Sequence, residues 1–196
     1  MVNVARHLPG DKDIRYTSIW SGAHYRPIPD TDSVTRLVAD FARASYPIFK
    51  NIAETDMLSG VRMVDGCEYL DDPADNYSPE NWGRYSDIDG FQILEGSQLP
   101  TWTKVGFKYR TYCVNPPVYL AWLERDLLLA GVQFIRQDLT SIAKVFGLVK
   151  DPDVHLVVNC SGVGFSDPDC FPIRGILHPL RFMIMARSNR SRRESL

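Results

Sequence analysis

A chain of 196 residues, 44% hydrophobic and 23% charged, has room for one substantial core or for one and a half small domains. A net charge of −2 removes any global electrostatic reason to bind nucleic acid or an anionic membrane, and no apolar run approaches the ~20 residues that cross a bilayer. Cys67, Cys113, Cys160 and Cys170 stand far apart without C-x-x-C spacing, which argues against a zinc site or a disulfide framework and for reduced intracellular thiols.

In chain order, Val2 to Ala5 reads as the end of a short strand, and Pro9-Gly10-Asp11 as a turn. The opening residues lack the apolar core of a secretory leader. Ser21-Gly22-Ala23 is a run of small residues, which lets backbone approach a ligand closely. Residues 31–49 read as a helix. Thr31, Asp32 and Ser33 are its cap candidates, and Val34, Leu37, Val38, Phe41 and Ala42 its buried face. Pro47 predicts that its regular part ends near Ser45.

From residue 60 to 114 the pattern turns to extended runs at 61–64, 90–94 and 104–114, with an acidic, turn-rich surface loop over 71–89. A second helix is predicted from Pro116 or Pro117 to Ala130. Its stripe is Tyr119, Leu120, Leu123, Leu127 and Ala130, and Gly131 stands just past its end. A strand over 132–137, a short helix over 140–146 and an apolar strand over 154–160 follow, the last ending in Ser161-Gly162. Helix, strand, short helix and strand in that order point to α/β architecture with parallel strands. After Gly175 the composition shifts, and residues 176–196 carry five arginines against one acid. They read as a basic tail, disordered from Ala186 onward. His24, His155 and His178 have no metal-ligand spacing, Cys160 reads as core, and so do Trp20, Tyr25 and Trp122.

Two stretches go further. RHLPGDKDIRYTSIWSGAHYRP at 6–27 and VVNCSGVG at 157–164 resemble flavin-contacting segments of the D-amino-acid oxidases, in particular their fungal branch. GFKYRTYCVNPPVYLAWL at 106–123, GVQFIRQDLTSI at 131–142 and PIRG at 172–175 resemble further pieces of the same family, in the same order. The resemblance covers residues 4–175. It implies an α/β fold: an incomplete, Rossmann-like FAD-binding domain of the glutathione-reductase type, over 1–60 and 115–175. Part of an antiparallel substrate-domain sheet lies over 61–114, and the tail over 176–196.

The same resemblance implies roles for single residues. Arg6 and His7 fall near the adenosine ribose of FAD. Thr17 and Ser18 fall in a turn near the pyrophosphate, where several small donors suit an anion. Ser21, Gly22 and Ala23 fall beside the isoalloxazine and ribityl groups, Leu139 beside the adenine, and Ser161 and Gly162 in a turn that closes on the cofactor. Plain surface residues at Arg6 and His7, and an ordinary turn at Thr17 and Ser18, remain open alternatives.

No G-x-G-x-x-G loop is present, although a dinucleotide fold uses one to hold the pyrophosphate. No residue matches the family's carboxylate-binding arginine and tyrosines. The expectation is therefore a chain truncated at both ends, inactive alone, and aggregating or needing a partner. The implied activity is oxidation of a D-amino acid by oxygen, giving a 2-oxo acid, ammonia and hydrogen peroxide, with room for a homodimer. D-aspartate oxidase or a related amine oxidase is one alternative, and a non-catalytic interaction protein with a basic tail is another. The family implies a peroxisome, otherwise the cytoplasm; the final Glu194-Ser195-Leu196 is not an S-K-L-type signal.

Overall fold

The computed structural model describes residues 1–21, 24–26, 33–73, 88–149, 156–161, 165 and 183–186. Two units emerge, one of Met1–Leu8 with Leu127–Leu196 and one of Pro9–Asp126. Parallel and antiparallel sheets both occur, so the chain is mixed α/β.

In the first unit, β1 (Val2–Ala5) pairs in parallel with β5 (Gln133–Arg136), Val2 opposite Gln133 and Ala5 opposite Arg136. The chain enters β5 from the end of α2 (Pro116–Leu129). Gly131, at φ 82°, makes that exit possible. Its N–H donates to the Leu128 carbonyl at 3.0 Å and the Val132 N–H to the Leu127 carbonyl at 2.9 Å. These two bonds form a Schellman cap, which needs a left-handed residue between them. Beyond β5 a 3₁₀ turn, Ile142–Lys144, starts where the Ser141 side chain accepts the Ala143 N–H, and it runs into α3 (Val145–Leu148).

β6 (Leu156–Asn159) departs from the all-parallel expectation. It pairs antiparallel with β7 (Met183–Ala186), Val157 opposite Met185 and Val158 opposite Ile184. The Met-Ile-Met-Ala run supplies the apolar partner strand from within the stretch read as a basic tail; residues 187–196 lie outside the described residues.

In the second unit, β2 (Val61–Leu70) and β4 (Val105–Val114) form a ten-residue antiparallel ladder, and β3 (Gln92–Ile93) flanks β4 on its other edge. Phe107 and Tyr109 form the core with Ile88, and Tyr25, Leu70, Phe91 and Val105 pack around them. Tyr112, also buried, stacks on Phe49 of α1 (Ser33–Thr55) with ring centroids 4.6 Å apart.

α1 corrects two expectations. The helix does not end near Ser45 but passes through Pro47 to Thr55. Proline there removes one N–H and costs ~3 kcal/mol. Anchors on both sides hold the helix down regardless: the Tyr46 hydroxyl donates to the Arg110 carbonyl at 3.0 Å, Phe49 stacks on Tyr112, and Lys50 pairs with Asp89 at 2.9 Å. The buried face differs in part: Val38 and Ala42 are half-buried, as expected. Leu37 and Phe41 are exposed, Phe41 by 62%, and the Val34 side chain lies outside the described residues. Ala39, Ala42, Tyr46, Phe49 and Ala53 are buried or half-buried at steps of three and four. Two apolar stripes compete in this sequence, and the one carrying the aromatic anchors takes the sheet.

In α2, Tyr119, Leu120, Leu123 and Leu127 are half-buried as the stripe predicts, but Ala130, past the last turn, is exposed. Trp20 is 56% exposed rather than core, and its indole N–H donates to the Asp13 carbonyl at 3.2 Å. Tyr25 and Trp122 are half-buried. Cys67, Cys113 and Cys160 are free thiols, and Cys160, just past β6, is exposed rather than core.

Candidate functional site

In the first unit the parallel pair β1–β5 delivers two loops to one end of the sheet. Arg6 and His7 leave the carboxyl end of β1, and Gln137 to Leu139 leave that of β5. The Gln137 N–H donates to the Ala5 carbonyl at 2.9 Å, and Arg6 pairs with Asp138 at 3.5 Å. The structure thus brings together Arg6 and the residue next to Leu139, which are remote in sequence. Both charged side chains are exposed, so the pair adds little stability. His7 is half-buried with Nε2 shielded from solvent, and Leu139 is half-buried. The carboxyl ends of parallel strands are where α/β sheets bind ligands.

Ser161 lies in the same unit, two residues past β6. Its N–H and hydroxyl both engage the Asn159 side-chain oxygen, at 3.1 and 2.7 Å. This Asx-type turn is made by a residue the sequence reading passed over. Gly162 lies outside the described residues.

In the second unit Thr17 and Ser18 sit in a 3₁₀ turn, Thr17–Ile19, both exposed. Arg15 grips Asp13 through Nε and Nη2, at 2.9 and 2.6 Å, and the Asp13 carbonyl accepts the Tyr16 N–H. The Thr17 carbonyl accepts both the Trp20 N–H and the Ser21 hydroxyl, each at 3.0 Å. Thr17, Ser18 and Ser21 are all exposed, and the Ser21 hydroxyl is tied back to the turn. Gly22 and Ala23 lie outside the described residues.

The chain resumes at His24, which bridges antiparallel to Cys113. The Tyr25 N–H donates to the Tyr112 carbonyl at 3.2 Å, and the Thr111 hydroxyl donates to the Tyr25 carbonyl at 2.6 Å. Arg26 pairs with Glu68 at 2.9 Å, and the Tyr109 hydroxyl donates to the same carboxylate at 3.0 Å. Burial first, and then the Glu68 carboxylate, push the Tyr109 phenol far above its ordinary range. Burial, with Tyr25, Tyr119 and Tyr46 nearby, raises Tyr112 to about 12. Both stay neutral hydrogen-bond donors at physiological pH. Glu68, Thr111 and Arg26 are the residues that reading the sequence missed. Alternation along β4 put Tyr109 and Thr111 on one face, but only the β2–β4 register shows Glu68 beside them. Among the described residues no group of three His, Cys, Asp or Glu side chains is arranged to hold a metal.

No family model matches the chain. It is similar to a D-aspartate oxidase from Talaromyces thermophilus, with 36% identity over 79% of this chain and 42% of that protein. A D-amino-acid oxidase from Schizosaccharomyces pombe is 29% identical over 88% of this chain and 49% of its own length. One from Fusarium vanettenii is 26% identical, over 88% and 51%.

The chain belongs to the D-amino-acid oxidase family. It spans about half the length of the curated relatives it matches. In this D-amino-acid oxidase family chain the first unit presents the Arg6 guanidinium, and the second unit, taken by itself, the exposed side chains of Thr17 and Ser18. Among the described residues no helix is long and apolar enough to cross a membrane.

Proposed function

We propose that the chain forms part of a flavin-dependent D-amino-acid oxidase. The observation that carries this is the similarity to D-aspartate and D-amino-acid oxidases over 77–88% of its length. The residues present fit an FAD. Arg6, His7 and Leu139 stand at the carboxyl ends of a parallel strand pair, as a Rossmann-like, glutathione-reductase-type domain requires for an adenosine. In this reading Thr17 and Ser18 offer hydroxyls to the pyrophosphate. Ser21, Gly22 and Ala23 flank the isoalloxazine and ribityl groups, and Ser161 and Gly162 close the turn on the cofactor. Residues 1–60 and 115–175 belong to the FAD-binding domain and 61–114 to the substrate domain.

A bound FAD would supply the redox chemistry, oxidation of a D-amino acid at Cα at the expense of oxygen, with hydrogen peroxide, a 2-oxo acid and ammonia as the products. The chain's part is orientation: Arg6 and His7 hold the adenosine ribose, and the turn from Thr17 to Ser21 fixes the approach of backbone to ligand. A D-aspartate substrate is the second reading, favoured by the 36% identity to the Talaromyces enzyme. A peroxisomal site of action and a homodimer belong to the same proposal.

Titration of the purified chain with FAD, followed by flavin fluorescence, tests it. Saturable quenching that weakens when Arg6 is changed to Ala is expected. The absence of saturable binding overturns the flavin reading for this chain. Oxygen uptake by the full-length coding product, compared on D-aspartate and D-alanine, decides the substrate.

A further inference from the structure

From the contacts of residues 24–26 we infer that Thr111, Glu68 and Arg26 are positioning residues. They staple residues 24–26 to the β2–β4 sheet, and so fix the chain directly after Ser21, Gly22 and Ala23, the run that the flavin reading sets beside the cofactor. The purpose of the staple rests on the flavin reading above; the staple itself rests on contacts alone.

Three successive residues after Ala23 are each held. His24 bridges Cys113; Tyr25 has its N–H on the Tyr112 carbonyl and its carbonyl under the Thr111 hydroxyl; Arg26 reaches Glu68. On the other flank the Ser21 hydroxyl is tied to the Thr17 carbonyl.

Thr111 is 1% exposed, on a strand face otherwise occupied by Phe107 and Tyr109. Valine fills the same volume there, so what threonine adds is its hydroxyl. Once that hydroxyl is removed, the Tyr25 carbonyl loses a short bond at a site closed to solvent. Glu68 is 15% exposed, and the Tyr109 hydroxyl holds its carboxylate in place for Arg26. A bidentate-capable guanidinium on a fixed carboxylate sets direction as well as distance.

The test uses Thr111→Val, Thr111→Ser and Glu68→Gln in the 196-residue chain, with two readouts: amide hydrogen exchange without flavin, and FAD affinity by fluorescence. Thr111→Val is expected to speed exchange at the Tyr25 amide on the order of tenfold while amides along β4 keep their rates. Thr111→Ser restores the native rate. Thr111→Val and Glu68→Gln each weaken FAD binding on the order of tenfold. Unchanged exchange at Tyr25, or exchange that rises equally along β2 and β4, overturns the staple. Faster exchange at Tyr25 with undiminished FAD affinity overturns its role in positioning. Faster exchange in a chain whose wild type binds no FAD upholds the staple and removes the flavin reading instead.

Discussion

Gly66 and Tyr109 are directly opposite in the β2–β4 ladder, and the substitution Gly66→Ala probes how that pair is built. A methyl at Gly66 would lie 2.8 Å from Cε2 and Cζ of Tyr109, and 3.2 Å from Thr111 Cγ2. The Tyr109 ring lies over the glycine, so its hydroxyl can reach Glu68. Alanine is no conformational burden, because Gly66 is not among the glycines with positive φ. The whole effect is steric. Moving the ring costs about 1–3 kcal/mol of overpacking in a filled core, and losing its bond to a carboxylate costs about 1.5–3 kcal/mol. The two overlap, so we expect a net loss of about 3 kcal/mol. At ~2–4 °C per kcal/mol for a chain of this length, the melting midpoint of the aromatic near-UV signal drops by roughly 6–12 °C. Gly66→Ala combined with Tyr109→Leu should recover part of the loss, since the clash is gone. A Gly66→Ala variant within about 0.5 kcal/mol of wild type in denaturant titration refutes the reasoning.

Pro47→Ala, at an exposed site inside α1, restores an N–H for the Arg43 carbonyl and should stabilise by about 1–3 kcal/mol in the same titration. Gly147→Ala, in α3 with no atom within 4 Å of the added methyl, should be stabilising by up to about 1 kcal/mol; a destabilised variant contradicts the helical assignment. The Asp56 carboxyl is held below its ordinary value, first by the Trp122 indole N–H at 2.7 Å and then by the Leu58 N–H. A depressed folded value means stabilisation that is present above the unfolded carboxylate value and lost as pH falls toward the folded one. Wild type should therefore exceed Asp56→Asn in stability at neutral pH, and the gap should narrow below pH ~4. Melting curves across that range check it.

Local chemistry made part of the fold legible. The Gly131 exit from α2 and the strands at 133–136 and 105–114 follow from glycine, apolar run and alternation. What stayed hidden depended on partners. α1 carries two apolar stripes, and only Tyr112 on the sheet decides between them. β6 looked like a parallel strand until Met183–Ala186 paired with it. The site divides the same way. Arg6, His7 and Leu139 came from the family resemblance, and the ion pair from Arg6 to Asp138 is what the structure adds. Glu68 and Thr111 were invisible because neither their spacing nor their type sets them apart; only the strand register brings them to residues 24–26.

Pro47 leaves α1 one rung short, with its halves tied to the sheet by separate neighbours, Tyr46 on one side and Phe49 on the other. Helix unwinding normally spreads rung by rung, so a missing rung is a firebreak. Fraying that begins at Ser33 has a natural stopping place before Phe49. The stretch leading into β2 can then stay wound while the first turns breathe.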